Sequence, residues 1–245
     1  MKIELYQGDC LEIIKNIPDG SVDMILTDPP YSSGGKSVRE RQQSTSVKYA
    51  DNGYHGMNDL PEFSGDNMDQ RSFIFFMRMV FAIARAKSKK GSVLASFCDW
   101  RQLPALTDAV QAAGWIWRGI VVWDKKISRN IPGRYRNDCE FIVWATNGKK
   151  AVEYTPGNKA MPGIYRISSV LAKTRLHQTE KPTELLEELL RICPEGGTVM
   201  DMFMGSGSTG KACVNARRNF IGIELDPLYF EVAKRRIEEA QKQNK

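Results

Sequence analysis

Continuous apolar runs, rather than alternating ones, recur along this chain: Ile3–Tyr6, Val22–Thr27, Ser92–Phe97, Ile116–Trp123, Phe141–Ala145, Thr198–Phe203 and Phe220–Glu224. Runs of this kind read as strands covered on both faces, the mark of a largely parallel sheet. Between them lie helical patterns over Leu11–Ile17, Arg71–Ala86, Gln102–Ala113, Pro182–Cys193, Ser208–Ala216 and Leu228–Gln243. In the second of these, Phe73, Phe76, Met77, Val80, Phe81 and Ala84 fall at helical spacing and read as a core stripe. Pro182 suits the first turn of its helix, with Thr179 or Lys181 at the capping position. Strand and helix alternate, which predicts an α/β fold: a mostly parallel seven-stranded sheet with helices on both faces. No helical pattern separates Ile116–Trp123 from Phe141–Ala145, so these two should be antiparallel neighbours.

Two stretches break the rhythm. Residues 32–69 are rich in Ser, Gly, Asn and Gln without sustained periodicity, and a loop this long beside a rigid turn reads as functional. Residues 147–175 are basic and punctuated by Pro156, Gly157, Pro162 and Gly163, which reads as a short insertion unable to fold alone. The 245 residues therefore read as a single domain, 1–245. No apolar run approaches the roughly 20 residues of a membrane helix, and Met1-Lys2-Ile3-Glu4 does not open a signal peptide. Five scattered cysteines (10, 98, 139, 193, 213) and two histidines support neither a disulfide framework nor a metal site. A reducing, cytoplasmic setting is expected.

Charge changes the picture by where it sits. The chain carries +6, yet Lys125–Arg175 holds eleven basic residues against Asp138, Glu140 and Glu153. Such a segment suits a polyanion surface, although a solvated charged face reads equally well from composition alone.

The candidate chemistry lies at two strand ends. Asp28-Pro29-Pro30-Tyr31 follows Val22–Thr27; its prolines stiffen the chain and present a carboxylate, carbonyls without local partners and an aromatic ring. Asp201-Met202-Phe203-Met204 leads into Gly205-Ser206-Gly207-Ser208-Thr209-Gly210, a Gly-x-Gly-x-x-Gly turn between strand and helix. Glu224 follows at the tip of the next strand, placed to accept hydrogen bonds from ribose hydroxyls. A nicotinamide dehydrogenase would show the same glycines. Asp201 leans away from that reading, because a carboxylate repels a pyrophosphate and suits a cationic, amino-acid-like group. Both turns, and Gly8-Asp9-Cys10 after the first strand, fall on the carboxyl rim where open α/β sheets bind ligands. Asp9 and Cys10 are candidates for an adenine edge.

Taken together, these segments resemble the S-adenosylmethionine-dependent amino DNA methyltransferases of the permuted group, in which the catalytic motif precedes the cofactor loop. Asp28-Pro-Pro-Tyr31 is similar to that family's catalytic tetrapeptide, Asp201-Met-Phe-Met-Gly-Ser-Gly to its cofactor loop, and Glu224 to its ribose-binding acid. His177–Pro182 resembles the element before the cofactor helix; Trp123-Asp124-Lys125, Arg134-Tyr135-Arg136 and Glu140–Ala145 resemble the central segment. The resemblance runs in family order across nearly the whole chain. It implies a circularly permuted, Rossmann-like class I methyltransferase fold, with S-adenosyl-L-methionine as cofactor and double-stranded DNA as substrate. It also implies a possible homodimer and a possible cognate restriction endonuclease, with loop 32–69 and insertion 147–175 touching DNA.

The implied reaction is direct methyl transfer to the exocyclic nitrogen of a flipped adenine. Asp28 and a proline carbonyl would accept its two N–H bonds, and Tyr31 would stack on the base. Asp9, Cys10, Asp28, Asp201, Phe203, Gly205, Ser206, Gly207, Ser208, Thr209 and Glu224 would bind cofactor; Lys181 would reach its carboxylate or hold a helix end. Lys125, Lys126, Arg129, Arg134 and Arg136 are candidate phosphate contacts. Amino-cytosine relatives usually carry Ser in place of Asp28, so Asp favours adenine N6 over cytosine N4, the alternative; a dehydrogenase is more distant. Trp100, Trp115 and Trp117 read as packing, and the last helix, with Lys234-Arg235-Arg236, as a solvated face.

Overall fold

The structure, a computed structural model, describes residues 1–30, 68–126, 132–149, 160–170 and 180–244. Tyr31, Arg129, His177–Thr179 and most of the loop and insertion expectations lie outside the described residues.

Eight strands form one sheet: β1 Ile3–Gln7, β2 Val22–Thr27, β3 Ser88–Cys98, β4 Ile116–Asp124, β5 Cys139–Thr146, β6 Ile164–Arg166, β7 Thr198–Asp201 and β8 Asn219–Glu224. Their order is β1-β8-β7-β2-β3-β5-β4-β6. The first five in that order run parallel, and β5 is antiparallel to both β3 and β4. The expected antiparallel pair is present, with Ile120 opposite Val143 and Trp123 opposite Glu140. The sheet has one strand more than the seven expected. β6 pairs parallel with β4; at three residues it is too short to announce itself by periodicity, and it anchors part of the basic insertion in the sheet.

Helices α1 Cys10–Ile13, α2 Gln70–Lys87 and α3 Leu103–Ala112 cover one face, and α4 Thr183–Leu190, α5 Ser208–Asn215 and α6 Pro227–Gln243 the other. The expected stripe of α2 buries Phe73, Met77, Val80, Phe81 and Ala84. Asp69 caps this helix by accepting from Arg71 and Ser72 amides. Boundaries differ from expectation where polar residues mask pattern. β3 starts at Ser88, four residues early, where Ser88 pairs with Val22 ahead of a register shift and Lys89 reaches Asp23 at 2.8 Å. Pro182 does not lie within the first turn of α4; it occupies the cap position itself with extended backbone (ψ 131°). Among the described residues no helix is long and apolar enough to cross a membrane.

Candidate active site

The sheet brings the two distant turns together. β2 and β7 are neighbours, with Ile25 opposite Met200. At the ends of the two strands, the Thr27 hydroxyl donates to Asp201 Oδ1 at 2.7 Å. The strand ends then line one rim, from Gly8 through Glu224, Asp201 and Asp28 to Cys98 and, across the antiparallel pair, Glu140.

The glycine turn is built on backbone donors. Gly205 and Gly207 take left-handed φ values of 53° and 80°. The Gly205 amide donates to Glu224 Oε2 at 2.7 Å, and the Asp226 amide to Oε1 at 2.9 Å. Two of the three glycines are required by packing. A Cβ on Gly207 would stand 2.9 Å from Ala233 of α6, and one on Gly210 would enter the space of Ile237 and Phe220. Asp201 also accepts from the Phe203 amide at 3.1 Å. Burial pushes Asp201 up to about 6 and raises Glu224 as well, against the hydrogen bonds that favour their ionised forms. Phe203 packs at 6.0 Å from Phe76. Leu225 and Leu228 stand 54% and 63% exposed beside Glu224, an apolar wall that sequence reasoning missed.

The other expected residues divide. Asp9 is occupied as the cap of α1, accepting from the Leu11 amide at 2.8 Å, and the buried Cys10 thiol is pushed up to about 12. Gly8 donates to the Glu224 carbonyl at 2.8 Å and so fixes β1 to the tip of β8. Ser206, Ser208 and Thr209 are buried. Arg236 explains the two serines: its guanidinium donates to Ser208 Oγ at 2.9 Å and Ser206 Oγ at 3.3 Å. It also pairs with Glu180 at 2.6 Å, both side chains nearly covered. The last helix is therefore not a wholly solvated face. Its Lys-Arg-Arg run hides one partly buried residue, Arg236, among exposed neighbours.

Asp28 sits in a network of charged side chains. Lys181 Nζ lies 2.5 Å from Asp28 Oδ2 and 3.4 Å from Glu140 Oε2, and 5.1 Å from the centre of the Phe97 ring. Lys125 closes the group at 3.2 Å from Glu140 Oε1. Asp28 Oδ1 is buried with no hydrogen-bond partner among the described residues. Burial pushes Asp28 up to about 6, with Lys181 opposing and Glu140 and Asp201 adding to the rise. At Glu140 the two lysines outweigh burial and hold the carboxyl below its usual range; Lys181 itself is raised by its two carboxylates. Pro29 is buried and Pro30 partly so.

Of the candidate phosphate contacts, Lys126 and Arg134 are exposed and make no ion pair among the described residues, whereas Arg136 pairs with Asp138 at 3.2 Å. Lys125 is committed to Glu140. Trp115 is buried as expected, its indole donating to the Phe81 carbonyl at 3.0 Å. Trp100 and Trp117, by contrast, are 56% and 41% exposed and do not pack in the core.

Residues 22–235 match the N6/N4 methyltransferase family model, described as DNA methylase. The chain is 28% identical to the type II methyltransferase M2.MboI of Moraxella bovis, over 96% of this chain and 87% of that protein. Its structure superposes on that of M1.HpyAVI in complex with SAM at a TM-score of 0.69, with 27% identity over 96% and 98% of the two chains. The PvuII cytosine-N4-specific DNA methyltransferase shares the fold, at a TM-score of 0.69 and 15% identity over 100% and 93%.

Proposed function

The chain belongs to the N6/N4 DNA methylase family, and on that premise we propose that it methylates the N6 amino group of adenine turned out of double-stranded DNA. The observation that carries this reading is Asp28, with one carboxylate oxygen held by Lys181 and the other buried without a partner among the described residues. A buried, unpaired acceptor costs free energy until a donor arrives, and an exocyclic amino group is such a donor.

S-adenosylmethionine is the cofactor, and it supplies a methyl group on a sulfonium centre. The residues present fit it. The Glu224 carboxylate stands at its strand tip for hydroxyls, Leu225 and Leu228 offer an apolar wall for a flat ring, and buried Asp201 suits a cationic group nearby.

An adenine amino nitrogen is a weak nucleophile because its lone pair is delocalised into the ring. Accepting one N–H at Asp28 Oδ1 and the other at a proline carbonyl favours a pyramidal nitrogen with a localised lone pair. Asp28 Oδ1 can also hold the proton that nitrogen sheds, since burial has brought its carboxyl to about 6. Tyr31 serves as the stacking platform; base–aromatic stacking returns roughly 1–3 kcal/mol against the few that flipping costs. Lys126, Arg134 and Arg136 contact phosphates. Pairing with a restriction endonuclease is part of the proposal, supported by the type II name of M2.MboI.

Incubation with labelled S-adenosylmethionine and mixed-sequence duplex, followed by nucleoside mass spectrometry, tests the reading. N6-methyldeoxyadenosine is the expected product. N4-methyldeoxycytidine would overturn the base assignment, and no methylated nucleoside would overturn the reading itself.

A further inference from the structure

Glu180 and Lys181 are consecutive, both buried, and reach in different directions. Glu180 pairs with Arg236 on α6, whose guanidinium also holds Ser206 and Ser208 of the glycine turn. Lys181 pairs with Asp28 at the end of β2 and with Glu140 on β5. One dipeptide is thus bonded to the turn that receives cofactor and to the carboxylate that receives the amino group.

We propose that Glu180-Lys181 is a positioning bracket for methyl transfer: Lys181 fixes Asp28 through Oδ2 and leaves Oδ1 for the amino group, while Glu180, through Arg236, sets the glycine turn against it. This rests on the reading of Asp28 given above. Neither residue needs to touch a reacting atom. The arrangement explains why a lysine is buried on a rim already crowded with carboxylates. Charge alone would be satisfied at the surface, but a 2.5 Å contact to one oxygen selects which oxygen remains open. The bracket also solves an alignment problem, since a misplacement of about 1 Å between acceptor and donor can cost roughly 10²-fold in rate.

The groups facing Asp28 are Lys181 from the segment before α4, Glu140 from β5, Asp201 from β7 and Cys98 from β3. Lys181 is the only cation of the four, and it favours the ionised carboxylate. Its removal should raise the Asp28 titration by about 1–3 units, the usual effect of an adjacent opposite charge.

The test is a carboxyl-carbon NMR titration of the protein, with the Asp28 resonance assigned by Asp28→Asn, alongside the pH profile of kcat/KM. In Lys181→Met, the Asp28 titration and the acidic limb of kcat/KM should both move to higher pH. Lys181→Arg should restore both to near the wild-type position. Should Lys181→Met fail to fold, Lys181→Met/Glu140→Gln removes one buried carboxylate together with the ammonium, and the upward shift should persist. Glu180→Gln should raise KM for S-adenosylmethionine several-fold and leave the limb in place. An unmoved Asp28 titration in the Met variant overturns the inference, as does a limb that stays put while kcat falls at every pH. Unchanged KM and kcat in Glu180→Gln would remove the Glu180 half. If wild-type protein transfers no methyl group, the functional reading fails, and the NMR titration still decides whether Lys181 controls Asp28.

Discussion

The two halves of the rim solve the same problem, holding acidic groups in partly dry surroundings, by different means. At the glycine turn, Glu224 and Asp201 are met by backbone amides and neighbouring hydroxyls, so their places follow from the path of the chain. At Asp28, the carboxylate is met by a lysine 153 residues away in sequence, and one of its oxygens is left bare among the described residues. Backbone donors give a site that is finished before any ligand arrives. A side-chain ion pair with a spare acceptor leaves one open to a further donor, which on the proposed reading is the substrate's amino group. On the same reading, the first arrangement serves a constant cofactor and the second a transition state.

Breaking each half should therefore have different signatures. Asp28→Ala should remove the acceptor and lower kcat by about 10³-fold or more, with DNA affinity nearly retained; turnover assays and filter binding read both. Gly207→Ala should act on the fold rather than on a ligand. Its Cβ would meet Ala233 at 2.9 Å and its φ is left-handed, so roughly 2–4 kcal/mol of stability should be lost in urea unfolding. Glu224→Gln keeps shape and one acceptor but loses charge. KM for S-adenosylmethionine should rise about tenfold, about 1.4 kcal/mol, with kcat nearly unchanged. A larger loss in kcat than in KM would erase the proposed division of labour. Arg134→Ala should have the smallest effect: a salt dependence of DNA binding shallower by about 0.9 in slope, at unaltered methylation chemistry.

The sequence made legible whatever depends on local chain geometry. The apolar runs named every strand except β6, and the strand-to-turn motifs predicted which two segments would meet. It failed where meaning depends on partners far away in the chain. Arg236 lies within Lys234-Arg235-Arg236, and helical spacing alone reads it as solvated; only packing against Ser206 and Ser208 shows otherwise. Glu140 reads as the start of an apolar strand, and its part in the site emerges only once β5 runs antiparallel to β3 and brings it to the same rim. Asp9 illustrates the converse. A rim position suggested ligand binding, and the structure adds a second task the motif does not announce: one of its carboxylate oxygens caps the helix it begins. The nicotinamide alternative, open on the glycines alone, is closed by a family match that spans both turns.

The pairing of β1 with β8 has a consequence for how the molecule comes into being. Lys2 and Asn219, 217 residues apart, are joined by a hydrogen bond at 2.7 Å, and Gly8 is joined to Glu224. On a ribosome, β1 is made more than two hundred residues before the neighbour it pairs with. The Asp28 side of β2 can pair with β3 well before that. A nascent chain would thus hold the paired strands that carry Asp28 before the glycine turn and β8 exist to complete the rim.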